Sequence, residues 1–202
     1  MFYLYRILIN IIFFFSPFII FYRIIKGKEN PKRFHEKLGF FTKKRNKGKL
    51  IWFHGASVGE IQSIIPLIER FEKNKEIKQI LITSNTVSSS LIIKNLRLKK
   101  TIHQFFPIDA NIVSKRFLNF WKPDLAIFVD SEIWPNTLLN LKERSIKRIL
   151  LNARISKRSF KKWKKLGKFS KSIFQIFNYT YPQNSESKDH LQKIGVNNIK
   201  NL

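Results

Sequence analysis

No cysteine occurs anywhere in the 202 residues. Its absence excludes a disulfide framework, a thiolate nucleophile and any cysteine-ligated metal, and it fits a reducing compartment. Histidine is scarce too. His35, His54, His103 and His190 show no ligand spacing, so neither a metal nor a cofactor is expected. Acidic residues are few, 13 against 39 Lys plus Arg, for a formal net charge of +26. Solubility needs far less, and the excess favours polyanionic partners: nucleic acid, anionic lipid or phosphorylated glycolipid. A large share of the lysine belongs to a general crowding with Lys, Ile, Asn and Phe, the drift of an AT-rich genome. Internal repeats and low-complexity linkers are also missing. A chain of this length then holds one good core, or one domain with an appendage.

One uncharged run stands at the amino terminus. From Ile7 to Tyr22, ILINIIFFFSPFIIFY is bounded by Arg6 and Arg23 and interrupted only by Asn10, Ser16 and Pro17. It falls slightly short of the roughly 20 residues a spanning helix needs, although flanking Tyr and Arg side chains extend such a run by snorkelling. A cleaved signal peptide is set aside, because KGKENPKR follows instead of a small-residue cleavage site. A single span, a helix lying in the membrane interface and a buried soluble helix remain as readings. The basic cluster Arg23, Lys26, Lys28, Lys32 and Arg33 places the following domain on the cytoplasmic side by the positive-inside rule. The expected organisation is a membrane-anchor helix at 1–25, a basic connecting segment at 26–49 and a domain at 50–202.

Beyond residue 49 the chain alternates. Apolar runs at 50–54, 79–83, 124–129 and 147–151 are nearly continuous, the pattern of parallel strands buried on both faces. Between the first two, Ile61, Ile64, Ile65, Ile68 and Phe71 follow 3.6-residue spacing, with Glu69, Arg70 and Glu72 on the opposite side. A second helical pattern at 110–121 stops before Pro123. Strands alternating with helices predict a doubly wound α/β domain with a parallel sheet.

In such a domain the loops after the strands form the ligand site, and four of them are polar here: HGASVGE, TSNTVSSS, DSEIWPN and NARIS. Glu60 admits two readings. Ser57 followed three residues later by Glu60 is a capping-box pattern, while a carboxylate on a Gly-containing loop at a strand's carboxyl end also sits where general bases sit. The second loop, with Thr83 and Thr86, offers hydroxyls to phosphate or sugar but lacks the glycines of a P-loop. Its alternative role is helix capping. Asp130 and Glu132, two apart on a strand end, are expected to point the same way and to flank a sugar or perturb each other's pKa. Otherwise Glu132 caps the helix beginning near Pro135. Arg154 is an anion-binding candidate or a surface ion-pair partner.

The motifs HGASVGE, TSNTVSS, FPIDANIVSKRFLNFWKPDLAIFVDSEIWPN, LNARISKRS and QNSESKDHLQKIGV resemble, in this order and spacing, the amino-terminal half of the 3-deoxy-D-manno-octulosonic acid (Kdo) transferases. The resemblance covers essentially the whole chain. It implies the first Rossmann-like domain of a GT-B glycosyltransferase, which takes Kdo from CMP-Kdo to a lipid A precursor in lipopolysaccharide biosynthesis. It also implies a bacterial inner-membrane location with the domain on the cytoplasmic side. Glu60 corresponds to the family's general base, and Glu132 to the second acidic residue of the family's ETELWPN. The first acidic residue falls on Asp130, a shorter side chain, and the family's Gly in the second loop is Ser89 here. Acceptor contacts are expected from Ser57, Gly59, Thr83, Thr86, Asp130, Glu132 and Arg154. CMP-Kdo would be bound by a second domain that this chain lacks, so a fragment, a truncated product or half of a split enzyme is expected. The partners implied are the phosphorylated glycolipid and the membrane, with no nucleic acid. The alternative is a catalytically silent membrane-associated protein that keeps the glycolipid site.

Overall fold

The computed structural model describes residues 1–200, so the last two positions of the expected 50–202 domain lie outside the described residues. Six parallel strands form one sheet: β1 Lys49–His54, β2 Ile77–Ser84, β3 Thr101–Phe105, β4 Leu125–Val129, β5 Lys147–Ala153 and β6 Tyr179–Pro182, in the order β3-β2-β1-β4-β5-β6. The helices are α1 Phe2–Ile25, α2 Val58–Lys73, α3 Val87–Asn95, α4 Asn111–Trp121, α5 Pro135–Glu143, α6 Lys157–Lys165, α7 Lys168–Phe174 and α8 Ser185–Ile194, with a short 3-10 helix at Phe34–Leu38. Strand order reverses between β1 and β4, which pair from Ile51–Leu125 to His54–Phe128. That reversal opens a crevice at the carboxyl ends of the two strands.

The sheet is covered on both faces because each strand alternates its apolar side chains between two cores. Leu50, Trp52, Leu81 and Phe128 face one core, shared with Phe117, Leu118 and Trp121 of α4 and Leu138 and Leu141 of α5. Ile51, Phe53, Ile80 and Ile82 face the other, filled by Ile61, Ile64 and Ile68 of α2 and Ile93 of α3. The doubly wound fold expected from the alternation, Rossmann-like as the resemblance implies, is therefore present. The strands at 101–105 and 179–182 extend it at the two edges.

Residues 26–49 are fastened to the sheet rather than strung between two parts. Glu36 is completely buried, and its carboxylate accepts from Arg33, from Thr42 and from the Phe105 N–H at 2.7 Å. Gln79 of β2 bonds the Lys44 carbonyl at 2.8 Å and the Asn46 N–H at 2.9 Å, and Arg45 donates to the Trp121 carbonyl. These bonds neutralise a segment whose sequence advertises only charge. Ahead of it, α1 is long and apolar enough to cross a membrane by length and composition. The helix runs eight residues beyond the uncharged stretch, through Arg6 and Arg23, with Pro17 inside it.

Candidate active site

The β1–α2 connection begins at Gly55, where a Cβ would lie 3.1 Å from Glu60 Cβ and 3.2 Å from Ile61 Cδ1. A side chain there would press on the first turn of α2, which folds back onto the loop. Ser57 is the N-cap: its Oγ accepts from the Glu60 N–H at 3.3 Å and donates to Glu60 Oε1 at 2.7 Å. Glu60 Oε2 accepts from the Ala56 N–H at 2.8 Å. A capping-box glutamate bonds the N-cap residue's own N–H; this one reaches one residue further back and lies along the loop. The capping geometry is real, yet it holds the carboxylate at the rim, half-buried and beside the crevice. Burial raises the Glu60 pKa above the ordinary carboxylate range, against the lowering effect of the Ser57 and Ala56 bonds, with the negative charges of Glu132 and Asp130 adding to the rise. Cap and base are thus compatible roles for one side chain. Gly59 is exposed, and a Cβ there would meet nothing within 4 Å, so the space above it is open.

Across the crevice the β4–α5 loop departs from the expected geometry. The strand ends at Val129 and Asp130 takes φ +63°, so Asp130 and Glu132 do not alternate as residues of an extended strand. They still sense each other, since Glu132 contributes to a raised Asp130 pKa whose main cause is burial; Arg154 is exposed and pulls that pKa back down. Glu132 does not cap α5, whose N-cap is Trp134 without a side-chain bond. Its Oε2 lies instead 3.1 Å from His54 Nε2 and accepts from Trp134 Nε1 at 2.9 Å.

His54 and Trp134 are the site residues that sequence reasoning missed. His54 ends β1, is fully buried, and stacks on Phe106 with ring centroids 3.9 Å apart. Its Nδ1 is 3.0 Å from Thr83 Oγ1, a hydroxyl that also accepts from Trp52 Nε1 at 2.9 Å and lies 3.3 Å from the Phe53 carbonyl oxygen. Because a carboxylate only accepts, the ring proton belongs on Nε2, facing Glu132, and the Thr83 hydroxyl donates to Nδ1. Thr83 is consequently a correction: it is wholly buried beneath the rim and orients His54 instead of meeting an acceptor. Thr86 is the N-cap of α3, with its hydroxyl 2.6 Å from that of Ser89 and accepting the Ser89 N–H. Ser89 is buried, so the residue standing where the family has glycine is absorbed by the cap. Among the described residues no group of three or more His, Asp or Glu side chains could hold a metal ion.

Residues 32–202 match the family model described as 3-deoxy-D-manno-octulosonic-acid transferase (kdotransferase). The chain is 38% identical over 184 residues to the 3-deoxy-D-manno-octulosonic acid transferase of Rickettsia bellii, covering 91% of this chain and 44% of that protein. It is 40% identical over 151 residues to a probable mitochondrial 3-deoxy-D-manno-octulosonic acid transferase of Arabidopsis thaliana, covering 73% of this chain and 34% of the relative. The chain thus spans less than half the length of these curated relatives. Among solved structures, a UDP-N-acetylglucosamine 2-epimerase superposes with a TM-score of 0.54 at 14% identity, over 76% of this chain and 47% of that one. That likeness is one of fold.

Proposed function

Because the chain belongs to the 3-deoxy-D-manno-octulosonic-acid transferase family, we propose that its rim is the acceptor side of a glycosyl transfer in which Glu60 is the general base. In this reading a hydroxyl of a lipid A precursor sits in the crevice. Glu60 takes its proton while the oxygen attacks the anomeric carbon of Kdo, and the bond to CMP breaks with its electron pair leaving on the phosphate. The donor, CMP-Kdo, comes from a second Rossmann-like domain, as in two-domain GT-B enzymes. Ser57, Gly59 and Thr86 border the crevice from the β1 and β2 side, and Asp130, Glu132 and Arg154 from the β4 and β5 side. The exposed cation Arg154 suits an acceptor phosphate. We place the protein at the cytoplasmic face of a bacterial inner membrane, where the acyl chains of such an acceptor are anchored.

The observation that carries this reading is the Glu60 carboxylate held at the switch point, with its pKa raised by burial toward the operating range of a base. Glu60→Gln is the test, since glutamine preserves a capping bond but accepts no proton. Transfer should fall about 10²- to 10⁴-fold, measured in a form that also carries the remaining portion of the longer relatives. Transfer within a few-fold of the parent would return Glu60 to capping alone.

A further inference from the structure

Helix α1 is tied to the domain at both ends. Near its start, the Tyr5 hydroxyl donates to Asp109 Oδ2 at 2.7 Å, Arg6 Nε donates to Asn136 Oδ1 at 3.1 Å, and the Phe2 ring meets Phe169 of α7 edge-on at 4.9 Å. At its other end, Arg23 in the last turn and Lys37 beyond the helix both donate to Glu29 Oε1 at 2.6 Å, and Lys37 reaches the Asn85 carbonyl after β2 at 3.3 Å. Between these ties one stripe is turned inward, centred on Phe2, Tyr5, Ile9, Ser16, Ile20 and Arg23 and flanked by Arg6, Phe13 and Ile24. The steps of three, four and seven residues keep it on one side of an α-helix. The two charged residues of the helix, Arg6 and Arg23, both belong to this seam and have partners there.

The rest of α1 faces outward, uncharged throughout and apolar but for Asn10. Apart from Phe40, Leu91, Ile112 and Tyr179, every exposed large hydrophobic side chain among the described residues lies on this helix or at Met1. Helix α7, which α1 touches through Phe169, belongs to a stretch of the opposite character. No acidic residue occurs between Glu143 and Glu186, and α6 alone carries Lys157, Arg158, Lys161, Lys162, Lys164 and Lys165.

A helix whose two ends are fixed to one domain cannot place those ends on opposite sides of a bilayer, although its length of about 36 Å would suffice. We propose that α1 lies in the plane of one leaflet, clamped to the domain along its inner stripe, and that its apolar outer face and the α6–α7 cations together form the surface that docks on an anionic membrane. The apolar face supplies insertion, and the cations supply attraction to lipid headgroups. This surface does not draw on the transfer reaction, and its test reads no activity.

The absence of cysteine makes the experiment direct. Leu4→Cys, Phe14→Cys and Phe21→Cys, each spin-labelled in the full chain, are bound to vesicles of phosphatidylcholine with phosphatidylglycerol, and immersion depth is read by collision with lipid-soluble and water-soluble relaxers. An in-plane helix gives three similar depths, about 5–10 Å below the headgroup boundary. A spanning helix puts Phe14 at the midplane with Leu4 and Phe21 near opposite faces, which would overturn the proposal, as would three water-exposed labels. The quadruple change of Lys161, Lys162, Lys164 and Lys165 to Gln should weaken binding to these vesicles on the order of a hundredfold or more and leave the weaker binding to pure phosphatidylcholine unchanged. Undiminished anionic binding would remove the basic half of the surface.

Discussion

The loop after β1 and the loop after β4 face each other across the same crevice, each with a glutamate, yet they hold their carboxylates in different ways. Glu60 is bonded by a surface hydroxyl and a loop N–H, both supplied from within four residues. Glu132 is bonded by the ring nitrogens of His54 and Trp134, one of them 78 residues away and fully buried. A hydroxyl donor at the rim exchanges readily with a substrate hydroxyl. A pair of packed aromatic rings does not. Under the proposed function, the contrast suits a division of labour in which Glu60 moves a proton and Glu132 stays fixed to position what binds beside it.

Four measurements test that contrast, and stability can be followed by denaturant unfolding in detergent. The largest effect is expected from Asp109→Ala. Asp109 is buried at the head of α5, where it accepts from the Asn136 N–H, the Thr137 N–H and hydroxyl, and Tyr5. Stranding these donors should cost about 3–5 kcal/mol; a loss under about 1 kcal/mol would mean the β4 side is no more rigid than the β1 side. Glu132→Gln comes next, at about 2 kcal/mol, because the amide cannot match a carboxylate between two ring nitrogens. Equal stability of the parent and this variant would break the comparison. Ser57→Ala should cost about 1 kcal/mol for the lost cap, with transfer reduced only as far as Glu60 loosens.

The smallest effect concerns pH. A carboxylate whose pKa is raised in the fold stabilises the folded state below its unfolded pKa, and that contribution is lost as pH rises through the folded value. Glu60 is half-exposed and screened, so Glu60→Gln should gain on the parent by well under about 1 kcal/mol between acid and neutral pH. If Glu60 is the proposed base, transfer by the longer form that carries the remaining portion of the relatives should fall on the acid side of a pKa above the ordinary glutamate value, and the glutamine variant should lack that limb. An acid limb unchanged in the variant would assign it to another group.

Much of the scaffold was legible in the sequence. The four central strands are near-continuous apolar runs, and Ser57 announces α2 through its spacing to Glu60. The edge strands were not. β3 contains His103 and Gln104, and β6 is four residues long and ends in Pro182, so neither shows an apolar run. His103 is buried all the same, bonded to Ser84, and its pKa is lowered to about 3 by burial and by the Arg33 and Lys43 charges. Within the site, Glu60 was visible because its partners are neighbours in the chain. The roles of His54 and Trp134 depend on contacts to Glu132 and Thr83 that only folding brings together. The sole sequence trace is a histidine closing an otherwise apolar strand. Asp130 and Glu132 look like a strand end in the sequence because nothing in the letters marks the left-handed turn at Asp130.

Asp109 joins two things that the chain keeps far apart. One of its oxygens serves both Tyr5 on the outer helix and the Asn136 N–H in the first turn of α5, immediately beyond the Glu132 loop. Helix docking and ordering of that turn therefore share a single acceptor, and coupling of this kind is reciprocal. Whatever an occupied crevice gains from a firm α5, the seating of α1 gains by the same factor. Lipid that peels α1 from its seam would be felt at the crevice as a weaker grip.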